Sequence, residues 1–324
     1  MDGGPFCYLD LRFRLSPSRL YPLSMLIPDL TLDRLRHDGY AVVPNFLSGD
    51  ELAAAQDNFL QYFPTSEELR ARPQRFGAIY DDPEHLQVEF PFAGDALNHV
   101  ATHPDLIDLA TRLLGTEEVL LSQSAIWAKY AGLGDYEQGL HLDYQGNTLV
   151  VPREDGDYRQ LNAILYYSDV DETLAPTHVV SQQHTHELPL WPTHRTRRKN
   201  PELYQHERPI FAAPGTLLLF GMSTWHRAST FTADAGHRFT HHFVFRAAAH
   251  GFQGYHHWPS RGESADLQRF ITQATPRQRE LLGFPRPGDA YWTQQTLAGV
   301  KLRYPQLDIG PYQQALGDAD RRGI

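Results

Sequence analysis

The apolar residues of this chain change period near residue 118, from every third or fourth position to every second. Side chains recur at three and four along a helix and alternate faces along a strand, so the change marks a passage from helices to strands. Val119 to Tyr130 reads as one long strand and Leu161 to Tyr167 as a strand buried on both faces. Thr177 to Val180, Leu217 to Phe220 and Arg238 to Arg246 read as further strands. Gly- and Pro-bearing turns separate them. Such an order predicts a mainly β architecture, a β-sandwich or jelly roll, rather than βαβ units on a parallel sheet.

Helices are expected ahead of the strands. Leu30 to His37 has helical spacing and is stopped by Asp38-Gly39, and Tyr40 to Val43 is a short strand ended by Pro44-Asn45. Ser48 opens a second helix, with acids in its first turn and Leu52, Ala55, Phe59 and Leu60 on one face. The polar stretch 64–90, which holds Pro64, Pro73 and Pro83, reads as loop-rich. Ala96 to Leu114 reads as one helix, and the chain from Ser264 as two short helices followed by a Pro/Gly-rich coil. A length of 324 residues suits one large β-rich domain with additions or two domains.

Charge and cysteine usage narrow the function. The net charge of −10 disfavours a nucleic-acid partner and attraction to anionic membranes, since both rest on basic surface. No apolar run approaches the roughly 20 residues of a membrane span. Cys7 is the sole cysteine, so no intrachain disulfide can form and cysteine-type zinc sites are excluded. Histidine and carboxylate remain as metal ligands. Residues 1–24 lack an uninterrupted apolar segment and are expected to be a disordered extension, with Met25 as the true start and the cytoplasm as location.

His141-Leu142-Asp143 carries the chemistry. In extended backbone an imidazole and a carboxylate two residues apart share a face. Alone, such a pair is more often a solvated strand end. Its companions change the reading: Trp225-His226 follows a buried strand, and Arg238 opens the next one. Two histidines and one carboxylate with open positions form the facial triad of non-haem Fe(II) oxygenases. An arginine one strand later suits a dicarboxylate co-substrate. His184 and His186 form a rival H-x-H pair, while His237, His241, His242, His256 and His257 are expected not to be ligands.

These residues resemble the phytanoyl-CoA dioxygenase family of Fe(II)/2-oxoglutarate oxygenases. The likeness runs from the helix-strand-helix of Leu35 to Ala55, around Gly39-Tyr40-Ala41-Val42-Val43-Pro44-Asn45-Phe46-Leu47, through His141-x-Asp143, Ala175-Pro176-Thr177, Gly215, Trp225-His226 and Arg238. Many members have Pro-Gly-Ser-His where this chain has Ser181-Gln182-Gln183-His184. The resemblance, which covers most of residues 30–246, implies a double-stranded β-helix, a cupin-like jelly roll with flanking helices; the domain is expected over 25–259, with 260–324 packed on it as an extension. It implies Fe(II) on His141, Asp143 and His226, with 2-oxoglutarate and O2 as co-substrates and ascorbate supportive in vitro. The expected reaction hydroxylates an unactivated C–H bond of a small molecule in bacterial specialised metabolism, releasing succinate and CO2. Asp143 matters here, because related halogenases carry a small residue in its place.

Arg238 is expected to hold the C5 carboxylate of 2-oxoglutarate, with Ser229 or Thr230 adding a hydroxyl, Gln123 near the C1 carboxylate and Thr177 close by. Each of these polar residues is equally a satisfied barrel-interior group. Trp127 and Lys129 share the face of Gln123 by alternation. Tyr144, Tyr158, Tyr166, Trp191 and Trp225 suit either an apolar pocket or the core. The run His194 to Lys199 is the basic cluster; it fits a coenzyme A- or carrier-linked substrate or a solvated loop, and 186–209 is a candidate lid. Two other functions compete: a cupin-type isomerase or hydrolase that does not use 2-oxoglutarate, and a non-catalytic ligand-binding jelly roll.

Overall fold

The computed structural model describes residues 27–81, 86–146, 160–249, 258 and 264–322. Cys7, Met25 and the rest of 1–24, together with Tyr158, His256 and His257, lie outside the described residues.

Helices lead, as the spacing predicts. α1 (Asp29–Asp38) ends where Gly39 adopts φ 81° and returns its N–H to Leu35 O. β1 (Tyr40–Val43) follows, then α2 (Gly49–Phe59), closed at its start by a reciprocal Ser48–Glu51 capping box. The stretch expected to be loop-rich carries three short elements, α3 (Ser66–Ala71), α4 (Gly77–Asp81) and the edge strand β2 (Gln87–Glu89). Pro64 precedes the Thr65 cap and Pro73 sits in the first turn of a short 3-10 helix, so neither breaks these pieces; Pro83 lies outside the described residues. The single helix expected over 96–114 is two, α5 (Ala96–Ala101) and α6 (Pro104–Leu114). Pro104 is the cause. It drives His103 to ψ 134°, outside the helical region, and then serves as the first residue of α6.

The strands are β3 (Val119–Tyr130), β4 (Leu140–His141), β5 (Gln160–Tyr166), β6 (Thr177–Val180), β7 (His194–Arg195), β8 (Glu207–Ile210), β9 (Leu217–Gly221), β10 (His226–Ala228) and β11 (His237–Ala247). A short α7 (Pro201–Gln205) lies between β7 and β8. They form two antiparallel sheets. The larger runs β1-β9-β5-β11-β3-β2 and the smaller β7-β4-β10-β6-β8. This is the jelly roll that the alternation pattern predicts.

Alternation sorts the side chains of the larger sheet. On β11, Phe239, His241, Phe243 and Phe245 face the helices, in a core with Phe59, Leu97, Leu106 and Leu109. Phe59 alone contacts Phe63, Tyr167 and Phe239. His241 belongs to this layer, fully buried between Ser124 Oγ (2.9 Å) and Tyr167 Oη (3.1 Å). The opposite face presents Arg238, Thr240 and His242 toward the smaller sheet, where Ile164, Tyr166, Leu218 and Phe220 meet Val179 and Ile210. Each such apolar side chain contributes about 1.5–3 kcal/mol on full burial.

The C-terminal part is more helical than its composition suggests. α8 (Ala265–Gln273) and α9 (Pro276–Glu280) lay Leu267, Phe270, Ile271 and Leu281 on the main core. The expected coil beyond them carries α10 (Gln294–Arg303) and α11 (Gly310–Arg322). The apolar residues of α10 do not align on one face, which hid it from periodicity. Trp292, Leu297 and Tyr312 hold the pair through a small core of their own.

Candidate metal centre

β4 is only two residues long, and His141 is its last; Asp143 then opens a 3-10 turn. β10 starts at His226 and pairs antiparallel with β4, His226 directly across from His141. That pairing closes a gap of more than eighty residues in the chain. The rings lie 4.4 Å apart between centroids. The Asp143 carboxylate bridges them, Oδ1 at 3.3 Å from His141 Nε2 and Oδ2 at 3.2 Å from His226 Nε2. One donor atom from each residue falls within 4.8 Å of the other two, and among the described residues no other group of three such donors does so.

Both tautomers are set by the backbone. His141 Nδ1 donates to Gly139 O and His226 Nδ1 to Thr224 O, each at 3.0 Å. A carbonyl only accepts, so the proton sits on Nδ1 and the Nε2 lone pair points at the shared space, as a metal ligand requires. Two neutral imidazoles and a carboxylate fit a divalent cation. The Asp143 carboxylate draws positive charge into this space. Burial would raise the Asp143 carboxyl, but the neighbouring imidazoles hold it well below the usual carboxylate range. Burial lowers His226, and the Asp143 charge outweighs it, leaving the imidazole raised. The Asp143 side chain is 39% exposed, so the centre opens on its side.

The turn before His226 is anchored to the N-terminal helix. Thr224 Oγ1 donates to Gly39 O and accepts from Gly221 N (3.2 Å). A Cβ at Gly39 would lie 2.5 Å from Gln182 and 2.9 Å from Thr224 Oγ1, so glycine is required there for close approach as well as for its positive φ. Gln182 Nε2 donates to Ser223 Oγ at 2.7 Å.

Arg238 stands at the start of β11, paired with Lys129 and on the inter-sheet face. Its Nη1 donates to Ala175 O, while Nε is buried with no hydrogen-bond partner. Ala175 has φ 54°, so the arginine steadies a strained residue. Beside it, Tyr166 Oη donates to Thr177 Oγ1 at 2.9 Å, and His242 lies 3.1 Å from Thr240 Oγ1. Burial and then the Arg238 charge push His242 down to about 3, so it is neutral. The structure brings Thr177 to this end of the site. Ser229 spends its hydroxyl proton on Pro176 O (2.7 Å). Gln123 and Trp127 lie on β3 opposite Val244 and Thr240, on the same inner face as Arg238.

Other sequence candidates go elsewhere. His184 stacks on His206 at 4.0 Å, and His186 pairs with exposed Glu187 at 3.9 Å, so the rival H-x-H pair has no third donor among the described residues. Trp225 is fully buried with Leu140, Leu142 and Tyr144, on the side of the small sheet away from His141. Within the basic cluster, Arg195 lies 4.9 Å above the Trp225 ring and Arg197 pairs with Glu207 at 3.0 Å. His194 has a role its place in that cluster did not suggest. It pairs across from His141, and the two rings stack at 5.6 Å and 15°. Thr224, Arg227 and Glu207 were not singled out by sequence; alternation gives the outward face of Arg227 but not its partner.

A two-sheet jelly roll with a His-x-Asp pair and a distant histidine converging on one space defines a metal-binding jelly roll. The chain belongs to the phytanoyl-CoA dioxygenase (PhyH) family, whose sequence profile matches residues 35–239. It is an enzyme of the iron- and 2-oxoglutarate-dependent dioxygenase class. No curated protein sequence matches it significantly. Among solved structures it is similar to SnoK, a non-heme alpha-ketoglutarate-dependent carbocyclase from nogalamycin biosynthesis, at 18% identity and a TM-score of 0.50, over 68% of this chain and 85% of that one. It is also similar to EctD from S. alaskensis with 2-oxoglutarate and 5-hydroxyectoine, at 22% identity and a TM-score of 0.50, over 71% and 82% of the respective chains. At these identities the likeness is one of fold. Among the described residues no helix is long and apolar enough to cross a membrane.

Proposed function

We propose that the protein hydroxylates an unactivated C–H bond of a small molecule, in the cytoplasm and in specialised metabolism, with His141, Asp143 and His226 holding Fe(II). The observation that carries this is the pair of Nε2 atoms and the carboxylate converging while both Nδ1 atoms are tied to carbonyls. When bound, iron with 2-oxoglutarate and O2 supplies the oxidising power and releases succinate and CO2.

The chain's own residues bind, orient and exclude water. Arg238 offers its unpartnered Nε edge to the C5 carboxylate, with a fork that a lysine lacks. Thr177 and Gln123 line the approach as hydrogen-bonding groups, whereas the Ser229 hydroxyl proton is already held by Pro176 O. His242, held neutral, adds no charge beside the arginine. Phe220, whose ring is 4.6 Å from His226, forms the apolar floor that keeps the reacting space dry. An isomerase or hydrolase reading leaves the buried Nε of Arg238 without a partner.

The test is succinate formation from 2-oxoglutarate with Fe(II) and ascorbate, with 2-oxoglutarate affinity measured by calorimetry. Slow succinate release without substrate, faster with an accepted small molecule, is expected. Absence of both turnover and 2-oxoglutarate binding would reject the proposal.

A further inference from the structure

Arg227 follows His226 in β10 and so faces the other way, out of the barrel, yet it is only 4% exposed. Its Nε donates to Glu207 Oε2 at 2.7 Å and its Nη2 to Glu207 Oε1 at 3.1 Å, a two-pronged contact with β8. Its Nη1 donates to Glu137 Oε1 at 2.9 Å, just before β4. The strand order is β4-β10-β6-β8, so one guanidinium braces the histidine-bearing strand β10 against elements on both flanks.

The contacts continue into the other histidine strand. Glu207 Oε1 also accepts from Arg197 Nη2 at 3.0 Å. The Tyr204 ring lies beneath both guanidinium groups, 4.3 Å from that of Arg197 and 5.8 Å from that of Arg227. Its hydroxyl accepts from Leu140 N at 2.9 Å and donates to Arg195 O at 2.7 Å. Leu140 is the residue before His141. The segment 195–207 is thereby riveted to β4 and β10 at once.

A buried ion pair adds little net stability, because desolvation offsets most of its attraction. What this pair contributes is geometry: it fixes β10 relative to β8 and to the residues before β4. We propose that Arg227, with Glu207 and Tyr204, is a positioning residue for the metal centre, setting the separation of His141 and His226 from the outer face of the sheet. This rests on the assignment of His141, Asp143 and His226 as ligands. Residues that orient metal ligands typically change affinity by about 10–100-fold when lost.

The test titrates the intact protein with Co(II), followed by its d–d absorption, alongside thermal unfolding and circular dichroism. Arg227→Met is expected to weaken Co(II) binding about 10–100-fold and to change the band shape while the protein stays folded. Arg227→Lys, which keeps the charge without the fork, should recover part of the affinity. Glu207→Gln is a milder second variant that should also weaken binding, and it decides the matter if Arg227→Met does not fold. Wild-type affinity and spectrum in the folded variants would overturn the proposal. So would an affinity loss no larger than the loss of folded protein. His226→Ala separates the two layers: if it binds Co(II) as wild type does, the ligand assignment itself fails, whereas loss of binding there with wild-type binding in Arg227→Met sinks only the positioning role.

Discussion

Replacing Arg238 with methionine keeps much of the side chain's length and removes its charge and all its donors. In the structure Nη1 is engaged by Ala175 O, and Nε is buried without a partner, so the free edge is the part available to a carboxylate. A hydrogen bond to a charged group contributes about 1.5–3 kcal/mol, and a two-pronged contact therefore about 3–6 kcal/mol. At about 1.4 kcal/mol per tenfold, the lower end already corresponds to a roughly hundredfold loss of 2-oxoglutarate affinity. Co(II) affinity should be nearly unchanged, because the arginine touches none of the three ligands. Calorimetric titration of the Co(II)-loaded variant with 2-oxoglutarate reads the first quantity and direct Co(II) titration the second. The substitution also strands the Ala175 carbonyl, at a residue with φ 54°, so unfolding is followed in parallel to correct for lost native protein. Arg238→Lys should fall between the two. A 2-oxoglutarate affinity within threefold of wild type in folded Arg238→Met would refute the assignment.

Asp143→Asn keeps the shape of the side chain but removes the charge that faces both imidazoles at 3.2 and 3.3 Å. Co(II) binding should weaken by more than about 100-fold, beyond the effect of losing a merely supporting group; an unchanged titration would remove Asp143 from the ligand set. Lys129 gives a pH test. Burial, then the Arg238 charge, lowers its ammonium from 10.5 to about 8, against the opposing pull of Asp135 at 3.2 Å. Between those values the unfolded chain holds a proton that the folded one has given up, so stability from this group rises with pH. Wild type should therefore gain on Lys129→Met in denaturant unfolding as pH climbs from about 8 to about 10.5, and a flat difference would count against the depressed value.

Much of the fold is legible in local pattern because local geometry causes it. Phe239, His241, Phe243 and Phe245 point one way, and Arg238, Thr240 and His242 the other, simply because β11 is extended. The break at His103 was legible too, in Pro104, but the run of apolar spacing on either side masked it. α10 offered no face to read, and its place depends on Trp292 and Tyr312 meeting across a loop.

The candidate site divides along the same line. From the residues alone came the ligand types and the alternation that sets Arg238 against Phe239; the extended backbone expected to put His141 and Asp143 on one face ends at His141, and a 3-10 turn carries Asp143 instead. Tertiary structure alone decided that His226 stands opposite His141, that two carbonyls fix the imidazole tautomers, that Arg238 keeps a buried nitrogen free, and that Arg227 finds Glu207 two strands away. Face and spacing are set by bonds between neighbouring residues. Which strand lies beside which is set by how the whole chain closes two sheets over one core, and no short window of residues contains that information.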